Sequence, residues 1–289
     1  MSILQAMILG CIQGIASFLP VSSSGHLVLA GSFMGISTGL SLKFLTLMHI
    51  GTLAAVCLVL KDDLLRLWNA LAGLLQDGIF NLITFVRNFG HSEDGEYRPM
   101  LKSAYRRLVV YLAVSMIPTV LIALILRRFA EIGARNLLIT AMGFMVTALM
   151  LMVSSFSDDR KKKPKGTRYS DALIIGVFQG ISAVPGVSRI GMIMAGCSLA
   201  GFSRKYTIRY AMLISIPSVL GGLLLEGPSP VSVGKTVGIG PCIVGILVAA
   251  VVGYLVLRYT IQLLNRNLNR FFAVYCLAAG VLSIIAYLH

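Results

Sequence analysis

Charged residues are scarce in this sequence, and acidic residues are the scarcest of them. Of the 289 residues only 12% are charged and 57% are hydrophobic, and the mean hydropathy is +0.86. A soluble domain carries about 25% charged residues. This scarcity excludes an ordinary soluble domain, and the sequence predicts an all-α polytopic membrane protein with little length left for a separate soluble part.

Paired cysteines and balancing acids are also lacking. The five cysteines all lie in apolar segments without CxxC spacing, so we interpret them as small core residues. Eleven Asp and Glu stand against 25 Lys and Arg, which gives a formal net charge of +14. In a membrane protein such an excess is typical of cytoplasmic loops, so it does not indicate a nucleic-acid partner.

One polar stretch interrupts the apolar sequence and then recurs. Residues 13–26 read QGIASFLPVSSSGH, and residues 179–192, displaced by 166 positions, read QGISAVPGVSRIGM. Irregular polar backbone at membrane depth must line a cavity or pack against protein. Two matched segments, each interrupted by Gly and Pro, therefore predict a binding site between two repeats near the middle of the membrane.

The lengths of the apolar segments predict two re-entrant helical hairpins among full membrane spans. Residues 3–19 and 20–34 are each shorter than a span of about 20 residues, and residues 172–185 and 187–203 form a second such pair. Residues 64–86 fit either a tilted span or an amphipathic helix at the membrane interface. The remaining predicted spans are 40–60, 107–126, 136–155, 207–226, 237–257 and 270–288.

A basic loop divides the chain into two similar halves. Residues 157–171 read SDDRKKKPKGTRYSD, and this loop is predicted to be cytoplasmic because of its Lys and Arg residues. The N-terminal membrane repeat is then 1–156 and the C-terminal repeat 172–289. An odd number of spans in each half would make the two repeats inverted in topology.

The second copy of the motif contains a candidate phosphate site. Arg189 follows Pro185, Gly186 and Ser188. One turn could therefore present backbone N–H groups, a hydroxyl and a planar guanidinium to the same anion. A cation inside an apolar segment usually marks a pathway or a site, so a functional role is favoured over extension to the interface.

Other basic side chains in or beside apolar segments allow two interpretations each. His26 is a candidate acid, base or nucleophile beside the serine turn 22–24, although a lone histidine is more often a core residue. The serine turn itself is also typical of a capped helix start. Lys43 and Arg209, near helix starts, are either phosphate ligands or cations that extend to the interface, and His49 lies inside a span.

Neither copy of the motif contains a carboxylate. Gln13 and Gln179 occupy equivalent positions, and the acids of the chain all lie outside both copies. Hydrolysis by a metal-bound or base-activated nucleophile usually depends on carboxylates. The predicted centre offers cations, hydroxyls and a histidine instead.

These motifs resemble those of the undecaprenyl-diphosphate phosphatase family, the bacitracin-resistance proteins of bacterial inner membranes, and the likeness covers nearly the whole chain. The first family motif is Glu/Gln-x-x-x-Glu followed by Phe-Leu-Pro-Val-Ser-Ser-x-Gly-His, which residues 18–23, Gly25 and His26 match. The second is Pro-Gly-x-Ser-Arg-Ser-x-x-Thr, whose first five positions match residues 185–189.

The sequence departs from the family pattern at several positions. Gln13 is an allowed form of the first acid, but Ser17 stands where the family has its second acid. Ile190 and Ile193 replace the Ser and Thr of the second motif, and His49 stands where an amide is common.

The resemblance implies an inner-membrane enzyme that removes the terminal phosphate of undecaprenyl diphosphate, which regenerates the lipid carrier for peptidoglycan and other envelope polymers. It also implies two re-entrant hairpins around a central pocket that opens to the periplasmic side. His26, Ser23 and Arg189 would be the catalytic residues. The phosphate-binding residues would be Ser22, Ser23, Ser24, Gly186, Ser188, Arg189, Lys43 and Arg209.

The family would be expected to hold a divalent cation such as Mg²⁺ or Ca²⁺ with its paired acids. Gln13 and Ser17 are neutral here, so we expect no metal ligands and weak or absent metal dependence. A cationic pocket without carboxylates also suits a non-hydrolytic relative that binds or flips polyprenyl phosphate, whereas the repeats alone would suit an unrelated transporter. The expected partners are a polyprenyl phosphate or diphosphate lipid and the membrane, with a homodimer as a candidate assembly.

Overall fold

The computed structural model describes residues 1–36, 42–90, 95–156, 166–226, 237–266 and 268–289. In this part of the chain there are eleven α-helices and no β-strand, which confirms the predicted all-α class. The helices are α1 (Ile3–Ala16), α2 (Ser23–Phe33), α3 (Leu42–Val59), α4 (Lys61–Gly90), α5 (Ala104–Gly133), α6 (Leu137–Ser155), α7 (Tyr169–Ile181), α8 (Arg189–Leu199), α9 (Arg204–Glu226), α10 (Ile239–Leu264) and α11 (Asn269–Leu288).

Two helix–turn–helix hairpins lie at the predicted places. Helices α1 and α2 have 14 and 11 residues, and α7 and α8 have 13 and 11. At a rise of 1.5 Å per residue, none of them can cross about 30 Å of hydrocarbon. The serine-rich turn around Pro20 separates the first pair, and the Pro185–Gly186 turn separates the second.

Seven helices in the described residues are long and apolar enough to cross a membrane, which confirms a polytopic protein. They are α3, α4, α5, α6, α9, α10 and α11. Helices α7 and α8 begin 166 positions after α1 and α2. The inverted orientation of the two halves stays a prediction, and residues 157–165, most of the basic loop, lie outside the described residues.

Each hairpin is held against a long helix by glycines that permit close backbone approach. Helix α1 packs along α10, and a Cβ added to Gly10 would lie 2.6 Å from the carbonyl oxygen of Gly245. Helix α7 packs along α5, and a Cβ on Gly176 would lie 2.1 Å from the carbonyl oxygen of Ser115. Small residues at such contacts are typical of helix packing in membranes. Both hairpins are therefore positioned by the same kind of contact.

Helix α4 crosses the start of α5 instead of running beside it. Asp63 accepts a hydrogen bond from the Tyr105 hydroxyl at 3.0 Å, and Asp77 pairs with Arg106 at 2.6 Å. The two acids are about 21 Å apart along α4 at 1.5 Å per residue, yet their partners are neighbours in the first turn of α5. This geometry places the two helix axes at a wide angle.

Candidate functional site

The turns of the two hairpins meet at the centre of the molecule. A Cβ placed on Gly25 would lie 2.8 Å from the Cα of Gly186. Gly186 itself has φ +90°, and a Cβ there would lie 2.0 Å from the carbonyl oxygen of Thr140. Only glycine fits this position, because it has both the backbone freedom and the missing side chain. The structure thus brings the two copies of the motif together.

A threonine of α6 fixes the second turn. The hydroxyl of Thr147 donates to the carbonyl oxygen of Gly186 at 2.9 Å and accepts from the backbone N–H of Ser188 at 2.8 Å. These bonds satisfy two buried polar groups of the turn. They also set the direction in which α8 starts, and so the position of Arg189, its first residue.

Both short helices start at this centre, and each start is capped by a serine. Ser22 accepts from the N–H of Gly25 at 3.3 Å, and Ser188 accepts from the N–H of Gly191 at 3.2 Å. Among the described residues, Ser22 is the one non-glycine residue with positive φ, +66°. Helix starts carry free N–H groups and partial positive charge. Two of them at one place form an anion-binding arrangement.

A cavity of about 170 Å³ lies between the two turns, α3 and the second halves of α5 and α9. Its walls bring together hydroxyls, amides and cations. The polar lining residues are Ser17, Ser22, Ser23, Ser24, Thr46, His49, Thr119, Arg127, Gln179, Ser182, Ser188, Arg189 and Ser218. None of the described lining residues is an Asp or Glu. The site is therefore cationic and rich in hydrogen-bond donors.

Several polar atoms in these walls are buried without a partner in the described structure. They are Oγ of Ser17, both terminal atoms of Gln179, and Oε1 of nearby Gln13. Buried polar groups are almost always hydrogen-bonded, so unpaired atoms at a cavity indicate a place for a polar ligand. A phosphate group would accept hydrogen bonds from the Ser17 hydroxyl and from Nε2 of Gln179.

The donor set does not fit a divalent cation. Ser17, Gln13 and Gln179 offer neutral oxygens, whereas Mg²⁺ and Ca²⁺ sites use carboxylates to supply negative charge. No group of three or more His, Cys, Asp or Glu side chains that could hold a metal is found in the described residues. Arg189 shares the cavity with Ser17 and Gln179 and would repel a cation.

The far walls of the cavity are apolar. Leu42 and Leu45 of α3, Val120 and Leu124 of α5, and Leu225 of α9 line it beside the polar centre. One cavity therefore offers a surface for a charged headgroup and a surface for a hydrocarbon chain. This combination suits an amphipathic ligand.

The structure does not place His26 with the other predicted catalytic residues. Ser23 and Arg189 line the cavity, but His26 does not. Its Nδ1 lies 2.7 Å from the carbonyl oxygen of Ser22, and its Nε2 lies 2.8 Å from the hydroxyl of Tyr275. A carbonyl only accepts, so Nδ1 carries the proton and Nε2 accepts from Tyr275 when the ring is neutral. Both nitrogens are used to hold the serine turn against α11.

Lys43 and Arg209, predicted as phosphate ligands, also lie outside the lining of the cavity. Arg209 pairs with Asp63 of α4 and with the hydroxyl of Tyr105. The part of α9 that lines the cavity comes later, from Ser218 onward, so Arg209 near the start of the helix cannot reach it. Lys43 is half-buried in the first turn of α3, while its neighbours Leu42 and Thr46 line the cavity.

The cavity also contains residues that the sequence motifs do not identify. Arg127 of α5 adds a second guanidinium, and it pairs with Glu131 one turn later at 3.2 Å. His49 of α3 lines the cavity together with Arg189. His49 lies inside the predicted span 40–60 and Arg127 directly follows the predicted span 107–126, but neither residue belongs to either copy of the motif.

The fold and the site together define a class of protein. It is a polytopic all-α membrane protein with a cationic, donor-rich cavity beside the turns of two short helical hairpins. The family described as Bacitracin resistance protein BacA matches residues 6–282. The chain therefore belongs to the BacA family, and it is a multi-pass protein of the bacterial inner membrane.

Curated relatives match over nearly their full lengths. Proteins named Undecaprenyl-diphosphatase from Methanosphaera stadtmanae, Desulforapulum autotrophicum and Halothermothrix orenii are 31%, 34% and 32% identical to this chain. The alignments cover 99% of this chain in each case, and 98%, 99% and 98% of the relatives. The resemblance to this family is confirmed.

Proposed function

We propose that this protein is an undecaprenyl-diphosphatase. It hydrolyses the terminal phosphate of undecaprenyl diphosphate, and the products are undecaprenyl phosphate and inorganic phosphate. The observation that carries the proposal is the position of Arg189, at the start of one short helix and in the same cavity as the capped start of the other. Family membership and the names of the relatives support the same reaction.

The residues of the cavity divide into two groups. Arg189, Ser188 and the free N–H groups at the starts of α2 and α8 hold the phosphates, because charge-assisted donors bind phosphate oxygens most strongly. The hydroxyl of Ser23 donates to a phosphate oxygen or acts as a nucleophile. The apolar walls around Leu45 and Leu124 accept the first isoprene units. These roles are all filled by side chains and backbone groups of the cavity itself.

The other features of the assignment follow from this chemistry. The lipid carrier and the membrane are the partners, nucleic acid is not, and a homodimer is the assembly to test. A cavity whose described lining has no carboxylate also suits a relative that binds or flips polyprenyl phosphate without hydrolysing it. The test therefore has to separate binding from turnover.

Phosphate release from undecaprenyl diphosphate by the purified, full-length protein in lipid nanodiscs tests the proposal. We expect release both with EDTA and with added Mg²⁺ or Ca²⁺. Binding of undecaprenyl phosphate is measured in the same preparation by displacement of a labelled lipid. Tight binding without phosphate release under any of these conditions would contradict hydrolysis. It would support a protein that binds or flips the polyprenyl phosphate.

A further inference from the structure

His49 is the histidine that the structure places inside the cavity. It lines the main cavity and also a smaller adjoining one, and Arg189 lines both. The other lining side chains in the described residues are apolar, or are hydroxyls, amides and the guanidinium groups of Arg127 and Arg189. The imidazole is the group in this set that can act as a neutral proton acceptor.

The two nitrogens of His49 differ in their surroundings. Nδ1 lies 2.8 Å from the terminal amide nitrogen of Gln13, a residue of the first motif. No described residue forms a hydrogen bond with Nε2, on the other side of the ring, and His49 lines the cavity. His26 differs, because both of its nitrogens are engaged and it does not line the cavity.

Gln13 can support either neutral form of the His49 ring. The amide group and the carbonyl oxygen of a glutamine side chain exchange places by a half-turn, and Oε1 of Gln13 has no other partner in the described structure. When Oε1 faces the ring, Nδ1 donates to it and Nε2 has a free lone pair. Gln13 would thus hold the ring in place with Nε2 available as a base.

We propose that His49 is the general base of the reaction, a role that rests on the proposed function. Nε2 of His49 takes a proton from a water molecule as the water oxygen forms a bond to the terminal phosphorus. The bond from that phosphorus to the bridging oxygen breaks, and its electron pair stays on the bridging oxygen of undecaprenyl phosphate. Arg189 offsets the charge that develops there, and His49 then releases its proton to water.

The test compares His49→Gln with His289→Gln, the same substitution at an exposed residue that lines neither cavity. Gln at position 49 keeps a hydrogen bond to Gln13 but cannot accept the proton. General-base catalysis typically contributes about 10²–10⁴-fold. We expect kcat of His49→Gln to fall by about 100-fold or more with KM changed by less than about threefold. His289→Gln should stay within about threefold of wild type in both.

The pH profile provides a second readout that a purely structural role would not change. In the wild-type protein kcat/KM should fall as the pH is lowered, because a protonated His49 cannot act as a base. The residual activity of His49→Gln should lack this acidic limb, and undecaprenyl phosphate should bind to it as to wild type. An unchanged acidic limb or an unchanged kcat in His49→Gln would overturn the role of His49 while the proposed function stands. Absence of turnover in the wild-type protein would overturn both.

Discussion

Arg189 combines two sources of phosphate affinity at one residue. It is the first residue of α8, so its own backbone N–H is one of the free N–H groups of the helix start. It lines the cavity, and the turn before it is fixed to Thr147. A planar guanidinium binds phosphate with two parallel hydrogen bonds, which an ammonium group cannot do.

The variant Arg189→Lys should therefore weaken lipid binding while keeping the charge. We expect the Kd for undecaprenyl phosphate to rise by roughly tenfold, since charge-assisted bonds contribute about 1.5–3 kcal/mol each. Displacement of a labelled lipid from the purified protein measures this value. Arg98→Lys, an exposed guanidinium beside α4, is the matched control and should bind as wild type. Equal affinity of Arg189→Lys and wild type would show that the second motif has a structural role only.

Ser17 is the residue at which metal dependence can be tested. Its hydroxyl is buried without a partner in the described structure, and no acid lines the cavity around it. We expect the wild-type activity to be insensitive to EDTA. Ser17→Glu, alone or with Gln13→Glu, should make phosphate release rise with added Mg²⁺ or Ca²⁺, because a carboxylate supplies the charge that retains the ion.

Ser17→Gln is the matched control for this variant, since it adds similar volume without charge. It should show no metal stimulation. Strong loss of wild-type activity on metal removal would contradict our interpretation of the cavity as metal-independent.

At the scale of elements, α4 has the length and hydropathy of a membrane-spanning helix, but its surroundings do not fit a membrane crossing. Residues 95–100 run back alongside α4, and they are exposed and not helical. The side-chain amide of Asn81 in α4 forms two hydrogen bonds with the backbone of Arg98, of 2.9 and 2.7 Å. Exposed irregular backbone does not occur in hydrocarbon. The exposed apolar side of α4 includes Leu65, Trp68 and Ile79. This pattern is typical of a helix that lies in the membrane interface.

We therefore expect both ends of α4 to lie on the same side of the membrane. Single cysteines replacing Asn69 and Arg87, both exposed, test this in a variant without the native cysteines. The two positions should behave alike towards a membrane-impermeant thiol reagent: either both react in intact cells, or both react only after the cells are opened. Reaction of one position in intact cells and of the other only after opening would show that α4 crosses the membrane.

At the scale of the whole molecule, an interfacial α4 leaves six crossing helices, three after each hairpin. An odd number in each half is the condition for inverted repeats, so we propose that residues 1–156 and 172–289 are such repeats. The basic loop between them follows the end of α6. Thr167, beyond the loop, accepts a hydrogen bond from Tyr111 near the start of α5 at 2.6 Å. The cavity is lined by the second half of α5 and so lies toward the opposite side.

This arrangement predicts the face at which the cavity opens. If the basic loop is cytoplasmic, the end of α5 is periplasmic. A cysteine replacing Arg135, just beyond α5, should react with the impermeant reagent in intact cells. A cysteine replacing Gly166 should react only after the cells are opened, as should those in α4. The reverse pattern would invert the topology and place the cavity mouth in the cytoplasm.

The sequence by itself determined the class of fold, the two hairpins and the residues of their turns. These features are local, because apolar segment length, Pro20, Gly186 and the serine caps act within a few residues of the chain. The helix starts at Ser23 and Arg189 follow directly from those caps. The family motifs are also local, and for that reason they identified the phosphate site from the sequence.

Only the tertiary structure decided which ionisable side chains share the cavity. His26 lies within the motif, yet α11 takes up its Nε2 through Tyr275, 249 residues later in the chain. His49 lies outside the motifs, and it reaches the cavity because of the way α3 packs against the hairpins. Arg209 pairs with Asp63, 146 residues earlier, at the start of α4. The rotation and contacts of packed helices depend on residues distant in sequence, so no local pattern could assign these partners.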